Sequence, residues 1–159
     1  FIQSKCLIYA GFVAHYAQEV CQPLNLTIHW NGRVDSDGTN SSTKIHERID
    51  SLIQYLNLNT DNLIREQQVN PFDDLMVGIW KQIEAEHSKV DRIYQLEDRL
   101  IAVTIKGRDP SPEVVDFALE RAREAVRFTA ALYLTAWKLS GRFRIPGWID
   151  REELDLPNF

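Results

Sequence analysis

Hydrophobic residues recur at three- and four-residue steps along most of the chain, a spacing typical of amphipathic helices. This spacing predicts an amphipathic helix over residues 44–57, where the apolar positions are Ile45, Ile49, Leu52, Ile53 and Leu56. A shorter helical piece is predicted after Thr60 and before Pro71. The apolar positions between 73 and 106 predict one long helix or two helices in line.

The two ends of the helical region give further predictions. Residues 2–21 carry a long apolar run with no breaker except Gly11, which predicts a largely buried helix. The sequence Ser-Pro-Glu at Ser111 is typical of a helix start, with the serine hydroxyl as the cap. This last helix is predicted to run to Ser140, with Gly141 as a left-handed carboxyl cap.

The rest of the chain adds a loop and a tail to these helices. Residues 22–40 contain an Asn-Gly and an Asp-Gly pair, which predict a long ordered loop, with or without a short hairpin. The tail after Gly141 holds several large apolar residues and is predicted to pack along the domain. Six aromatic residues fall at helical spacings and are predicted to lie in the core: Trp80, Tyr94, Phe117, Phe128, Tyr133 and Trp137.

Composition agrees with an all-α, multi-helix bundle that forms one domain over residues 1–159. The chain has only 7 glycines and 6 prolines, which disfavours a turn-rich β fold, and 44% hydrophobic residues is enough for a core. The longest apolar run, Cys6 to Ala14, is shorter than the roughly 20 residues that span a bilayer. No transmembrane segment is therefore predicted. Cys6 and Cys21 would lie about 22 Å apart on one helix, too far to pair with each other.

Charge limits the classes of ligand that the surface can bind. The formal net charge is −5, so the chain has no broad cationic surface for a nucleic-acid backbone. Binding of a polyanion would need a local positive charge, such as a bound metal ion. Nucleophile motifs, phosphate-binding glycine loops and paired CxxC cysteines are missing from the sequence. Covalent catalysis therefore has no candidate residue.

Two histidine–carboxylate pairs are the strongest candidates for chemistry. His15 and Glu19 are four residues apart, as are His46 and Asp50, so each pair leaves one face of a helix. Such a pair can bind a divalent metal, and two such helices packed together can hold a metal cluster. The alternative is that each pair is a hydrogen bond on a helix surface.

Two other histidines are weaker candidates. His87 and Asp91 repeat the four-residue spacing, but charged residues surround them, which predicts an ordinary ion pair on a helix. His29 lies in the loop beside Trp30, and it would be a further metal ligand near Asn25 if the loop folds back.

Three segments in order resemble a known superfamily. They are HYAQEVCQPLN from His15 to Asn25, IHWNGR in the loop, and IHERID from Ile45 to Asp50. The chain is similar in these segments to the zinc-dependent phospholipase C and fungal single-strand nuclease superfamily. Its members typically read HYxGDxHQPLH, then a loop, then HxxxD or HxxxE. The resemblance covers about residues 8–56, and the later helices carry no diagnostic motif.

The resemblance implies a helical bundle in which up to three zinc ions hydrolyse phosphate esters through a metal-activated water. By this resemblance His15 and Glu19 would bind the paired zinc ions, with the acid bridging them. His46 and Asp50 would bind the remaining zinc. The implied substrates are nucleic acids or phospholipid head groups, and the implied location is secreted or periplasmic.

Three departures keep a second hypothesis open. Asn25 stands where the superfamily has a histidine; it would be an additional metal ligand beside His29, although an amide is a poor zinc ligand compared with imidazole. His29 or Cys21 would have to replace it. Glu19 stands in place of an aspartate, and further ligands implied upstream are not among the 159 residues. The chain is therefore expected to be the carboxyl-terminal portion of a domain that begins before Phe1. The rival hypothesis is a helical binding or structural module that has kept the fold and lost the chemistry.

Overall fold

The structure, a computed structural model, describes residues 2–40, 43–56, 58–104 and 109–142. These ranges contain no β-strand, only an isolated antiparallel bridge between Val34 and Asn40. Their elements are α1 (Ile2–Val20), a 3₁₀ turn (Pro23–Leu26), α2 (Ile45–Leu56), α3 (Thr60–Ile64), α4 (Leu75–His87), α5 (Val90–Thr104) and α6 (Pro112–Ser140). The prediction of an all-α class is confirmed.

Local side-chain and turn chemistry sets the start and end of α4. Asp74 caps the helix because its carboxylate accepts a hydrogen bond from the Val77 N–H at 3.0 Å. The helix ends with a tighter turn, closed by a bond of 2.9 Å from the Lys89 N–H to the Glu86 carbonyl. Of the two alternatives for residues 73–106, the structure therefore has two helices, α4 and α5.

The predicted bounds of α6 are confirmed, as is Ser111 at its amino-terminal cap position, but neither the predicted capping bond nor the predicted capping conformation forms. Ser111 is extended before Pro112 as expected, but its hydroxyl makes no capping bond and is buried without a hydrogen-bond partner. Gly141 is right-handed, with φ −65° and ψ −12°. The last turn closes instead by a bond of 2.9 Å from the Arg142 N–H to the Leu139 carbonyl. This i to i−3 bond satisfies the carbonyl without a left-handed residue.

Two apolar clusters form the core, and α6 contributes to both. The main core joins α2, α5, α6 and the 3₁₀ turn, and its fully buried side chains include Leu24, Ile45, Leu52, Ile93, Leu96, Leu100 and Val114. The second core joins α1 and α6 through Ala17, Cys21 and Phe128, with Phe72 and Ile79 packed against them. Since Cys21 lies in the second core and Leu24 in the main core, the start of the 3₁₀ turn is anchored in the main core and the residues just before it are anchored in the second.

Helix α1 is exposed, so the prediction that it is largely buried is wrong. Ala17 is its one buried side chain among residues 3–20. Leu7 is 74% exposed, and most of the other large apolar side chains of the helix are exposed with it. The physical reason is that α1 is apolar on nearly all sides, whereas its packing neighbours α6, α4 and the 3₁₀ turn cover only one of them. In the described ranges, no helix has both the length and the hydropathy needed to cross a membrane.

The aromatic residues divide between core and surface. Phe117 and Phe128 are buried, as predicted, and Tyr94 packs against the main core. Trp80, Tyr133 and Trp137 are exposed, so the core prediction is wrong for these three. Helical spacing identifies the helix but not which face another element covers. The predicted packing of the tail, residues 143–159, lies outside the described residues.

A buried ion pair lies between α4 and α6. Glu86 is fully buried and accepts hydrogen bonds from Gln82 at 3.1 Å, from Lys89 at 2.9 Å and from the Arg121 guanidinium. A buried carboxylate with these three donors is satisfied, whereas loss of one donor would leave a buried charge uncompensated. Gln82 also donates to the Cys21 sulfur at 3.7 Å.

Candidate metal site

The candidate metal residues come from three consecutive elements that the cores hold together. His15 and Glu19 lie in the last two turns of α1, and His46 and Asp50 lie in the first two turns of α2. Asn25 lies between them in the 3₁₀ turn, where the Leu24 N–H bonds to the Gln22 side chain at 2.7 Å. The buried Leu24 beside it fixes this turn against the main core, which brings the end of α1 to the start of α2.

These five residues form one continuous set of polar contacts, which we call the histidine–carboxylate cluster. Asn25 Nδ2 donates to Glu19 Oε2 at 2.5 Å, and Asn25 Oδ1 lies 2.7 Å from His46 Nε2. His46 Nδ1 lies 3.0 Å from Asp50 Oδ2. His15 Nε2 lies 3.9 Å from Glu19 Oε1. The structure therefore links the two predicted pairs through Asn25, with Asp50 on the side of the His46 ring opposite Asn25.

Asn25 is the central member of this cluster. Its Nδ2 group faces two acceptors, the Glu19 carboxylate and the Glu19 carbonyl oxygen at 3.1 Å, so the orientation of the amide is fixed. The amide oxygen Oδ1 of Asn25 therefore faces His46. The amide thus lies between a carboxylate and an imidazole, both of which are zinc ligands in proteins. A metal ion shared by Glu19 and His46 would take the place of the two hydrogen bonds that Asn25 makes.

Asp50 and Gln22 orient His46 from its other side. Gln22 Nε2 donates to Asp50 Oδ1 at 3.2 Å, while Asp50 Oδ2 faces the His46 ring. A histidine whose second nitrogen bonds to a carboxylate has a fixed ring orientation, as metal-ligating histidines usually have. The sequence identified Asp50 from its spacing. It did not identify Gln22 as a positioning residue, although Gln22 belongs to the Gln-Pro-Leu segment of the resemblance and precedes Pro23, which favours extended backbone.

Trp30 is a second residue that spacing did not identify. Its indole packs edge-on against His46, with ring centroids 5.7 Å apart. It borders an open cleft of about 530 Å³ together with Lys44, Glu47 and Asp50.

A smaller cavity of about 220 Å³ also touches Asp50 and includes Glu19 and Asn25 in its wall. The cluster is therefore bordered by two separate openings.

His29 is not brought into the cluster. Its Nδ1 accepts a hydrogen bond from the Val34 N–H at 2.9 Å, and its carbonyl accepts one from the Tyr94 hydroxyl. Burial raises the pKa of Tyr94, so this hydroxyl stays protonated as a donor. The same hydroxyl accepts from the Gly32 N–H at 3.0 Å. His29 thus fixes the loop that carries Trp30.

Cys21 also lies apart from the cluster. It is buried in the second core, and burial raises the pKa of its thiol to about 12. A thiol binds zinc as the thiolate, so its burial opposes a ligand role. Both Cys6 and Cys21 are free, as the predicted helical distance requires.

His87 and Asp91 do not pair, so the prediction of an ordinary ion pair is wrong. His87 Nδ1 lies 3.0 Å from the Leu26 carbonyl oxygen, and Asp91 accepts from Arg33 at 2.6 Å. The break between α4 and α5 separates the two residues, so the four-residue spacing does not place them on one helix face.

In its described part, the chain has no group of three or more histidine, cysteine, aspartate and glutamate side chains arranged to hold a metal ion. The cluster nevertheless offers two imidazoles and two carboxylates, a donor set that suits zinc. Comparisons with protein-family models, curated proteins and solved structures found no match to this chain.

Proposed function

We propose that the chain is part of a zinc-dependent hydrolase of phosphate esters, similar to the nuclease and phospholipase C superfamily. One observation carries this proposal. The two histidine–carboxylate pairs lie on different helices, α1 and α2, yet they belong to one cluster that is joined through Asn25. Imidazole and carboxylate are the donor types that catalytic zinc sites use.

The residues of the cluster have distinct roles under this proposal. His15 and Glu19, both about half exposed or more, would hold metal on the solvent side of α1. His46 would bind through Nε2, the nitrogen that faces Asn25. Asp50 would have one of two roles. It would bind a metal ion, or it would orient the His46 ring through the Nδ1 atom that it already contacts. Bound zinc supplies a water of lowered pKa and positive charge for phosphate oxygens.

The charge of the chain supports a metal-assisted reaction. Carboxylates of the cluster repel a phosphate ester unless a cation compensates them, and the net charge of −5 adds to that repulsion. The two openings that border Asp50 would give a substrate access to the cluster. Nucleic acid and phospholipid head groups share the phosphodiester that this arrangement would bind.

Zinc content and hydrolysis of bis-nitrophenyl phosphate test the proposal together. We expect the purified chain to hold about one zinc or more and to lose at least about half of it in His46→Gln. His87→Gln is the matched control, because His87 lies outside the cluster and glutamine keeps a donor for the Leu26 carbonyl. Less than about 0.3 zinc per chain, with no hydrolysis, would contradict the proposal.

The second candidate is a helical binding or structural module without the chemistry. It is favoured by the two hydrogen bonds of Asn25, which satisfy Glu19 and His46 without a metal ion. In such a module the same contacts would serve to hold α1 against α2.

A further inference from the structure

An apolar groove of about 430 Å³ opens where α1, α4 and α6 meet, away from the histidine–carboxylate cluster. Its walls include α1 from Tyr9 to Val20, Leu75 and Ile79 of α4, and Leu132 and Ala136 of α6. Tyr9, Phe12 and Tyr16 are each more than half exposed along it. A continuous exposed apolar surface of this kind marks a binding site for another segment or molecule.

The direction of the groove follows from the packing of α1 against α6. Ala17 packs with Phe128 in the second core, and the Tyr133 hydroxyl donates to the Ala10 carbonyl at 2.6 Å. Earlier residues of α1 thus lie beside later residues of α6, so the helices are antiparallel. The groove residue Ala136 precedes Arg142, the last described residue after α6, by only six positions.

The sequence continues from this end with a segment of suitable composition. Residues 143–149 read FRIPGWI and contain four large apolar side chains. Seven extended residues reach about 23 Å, whereas Phe128 to Ala136 spans about 12 Å of helix. We propose that residues 143–149 bind in the apolar groove. Their attachment to α6 gives them a high effective concentration there, which favours them over a second copy of the chain.

Photo-cross-linking in the full chain tests this proposal. Benzoylphenylalanine placed at Trp148 is expected to form intrachain cross-links, mapped by mass spectrometry, to residues 9–20 of α1 or to 75–79 of α4. The same probe at Tyr55, an exposed residue of α2, is the control and is expected to miss the groove. Cross-links to a second copy, or intrachain cross-links that avoid the groove, would overturn the proposal.

A charge in the groove gives an independent measurement with a matched control. Ala136→Arg is expected to lower the yield of the groove cross-links about tenfold, because binding would bury an unpaired charge. Ala85→Arg, at an exposed alanine of α4 outside the groove, should leave the yield unchanged. Circular dichroism checks that both variants keep their helices. Equal yields in the two folded variants would overturn the proposed location.

Discussion

At the scale of single residues, Asn25 determines how the two halves of the cluster are joined. One half is the pair on α1, which ends at Glu19, and the other is the pair on α2, which begins at His46. Its amide donates to Glu19 and accepts from His46, so it does by hydrogen bonds what a shared metal ion would do by coordination. An amide oxygen is a weaker zinc ligand than an imidazole nitrogen. The residue at position 25 should therefore control metal affinity more than it controls the fold.

Substitution of this residue by histidine gives a gain-of-function prediction. We expect Asn25→His to raise zinc affinity about tenfold or more, because it places an imidazole between Glu19 and His46. Isothermal titration with zinc measures the change. Asn25→Gln is the control, since it keeps the amide, and it should not raise affinity. Unchanged or weaker binding in Asn25→His would show that the two halves do not share an ion.

The 3₁₀ turn Pro23–Leu26 is the element that builds the site. It is only four residues long, yet it carries Asn25, places Leu24 in the main core and begins two residues after Cys21 of the second core. The spacing of apolar residues predicted the helices on both sides of it, since helix periodicity is local. The contacts of this turn depend on residues far away in sequence, so spacing alone did not predict them.

Removal of the apolar anchor of this turn should destabilise the chain. Leu24 is fully buried in the main core, so Leu24→Ala is expected to lower the free energy of unfolding by about 2–5 kcal/mol. Ile28→Ala is the control, because Ile28 is 73% exposed and its loss should change stability by at most about 0.5 kcal/mol. Urea denaturation measures both. Equal losses in the two variants would contradict the anchoring role of Leu24.

At the scale of the whole molecule, the sequence predicted where the helices begin and end better than it predicted which of their faces are buried. The bounds of α2 and α6 were close to those observed, but α1 was predicted to be buried and is exposed. Burial depends on how many neighbours cover a helix, which its own residues do not specify. The pairs His15–Glu19 and His46–Asp50 were identified by spacing and resemblance. The role of Asn25 between them was not, because side-chain hydrogen-bond geometry requires the fold.

Anomalous X-ray scattering at the zinc edge, from crystals of the zinc-loaded chain, tests the central claim most directly. We predict a zinc peak about 2.0–2.2 Å from His46 Nε2, with a carboxylate oxygen of Glu19 among its ligands. The Asn25 side chain should be displaced from its present position between Glu19 and His46. Zinc-loaded crystals without a peak at the cluster, or with a peak only at His87, would contradict the claim.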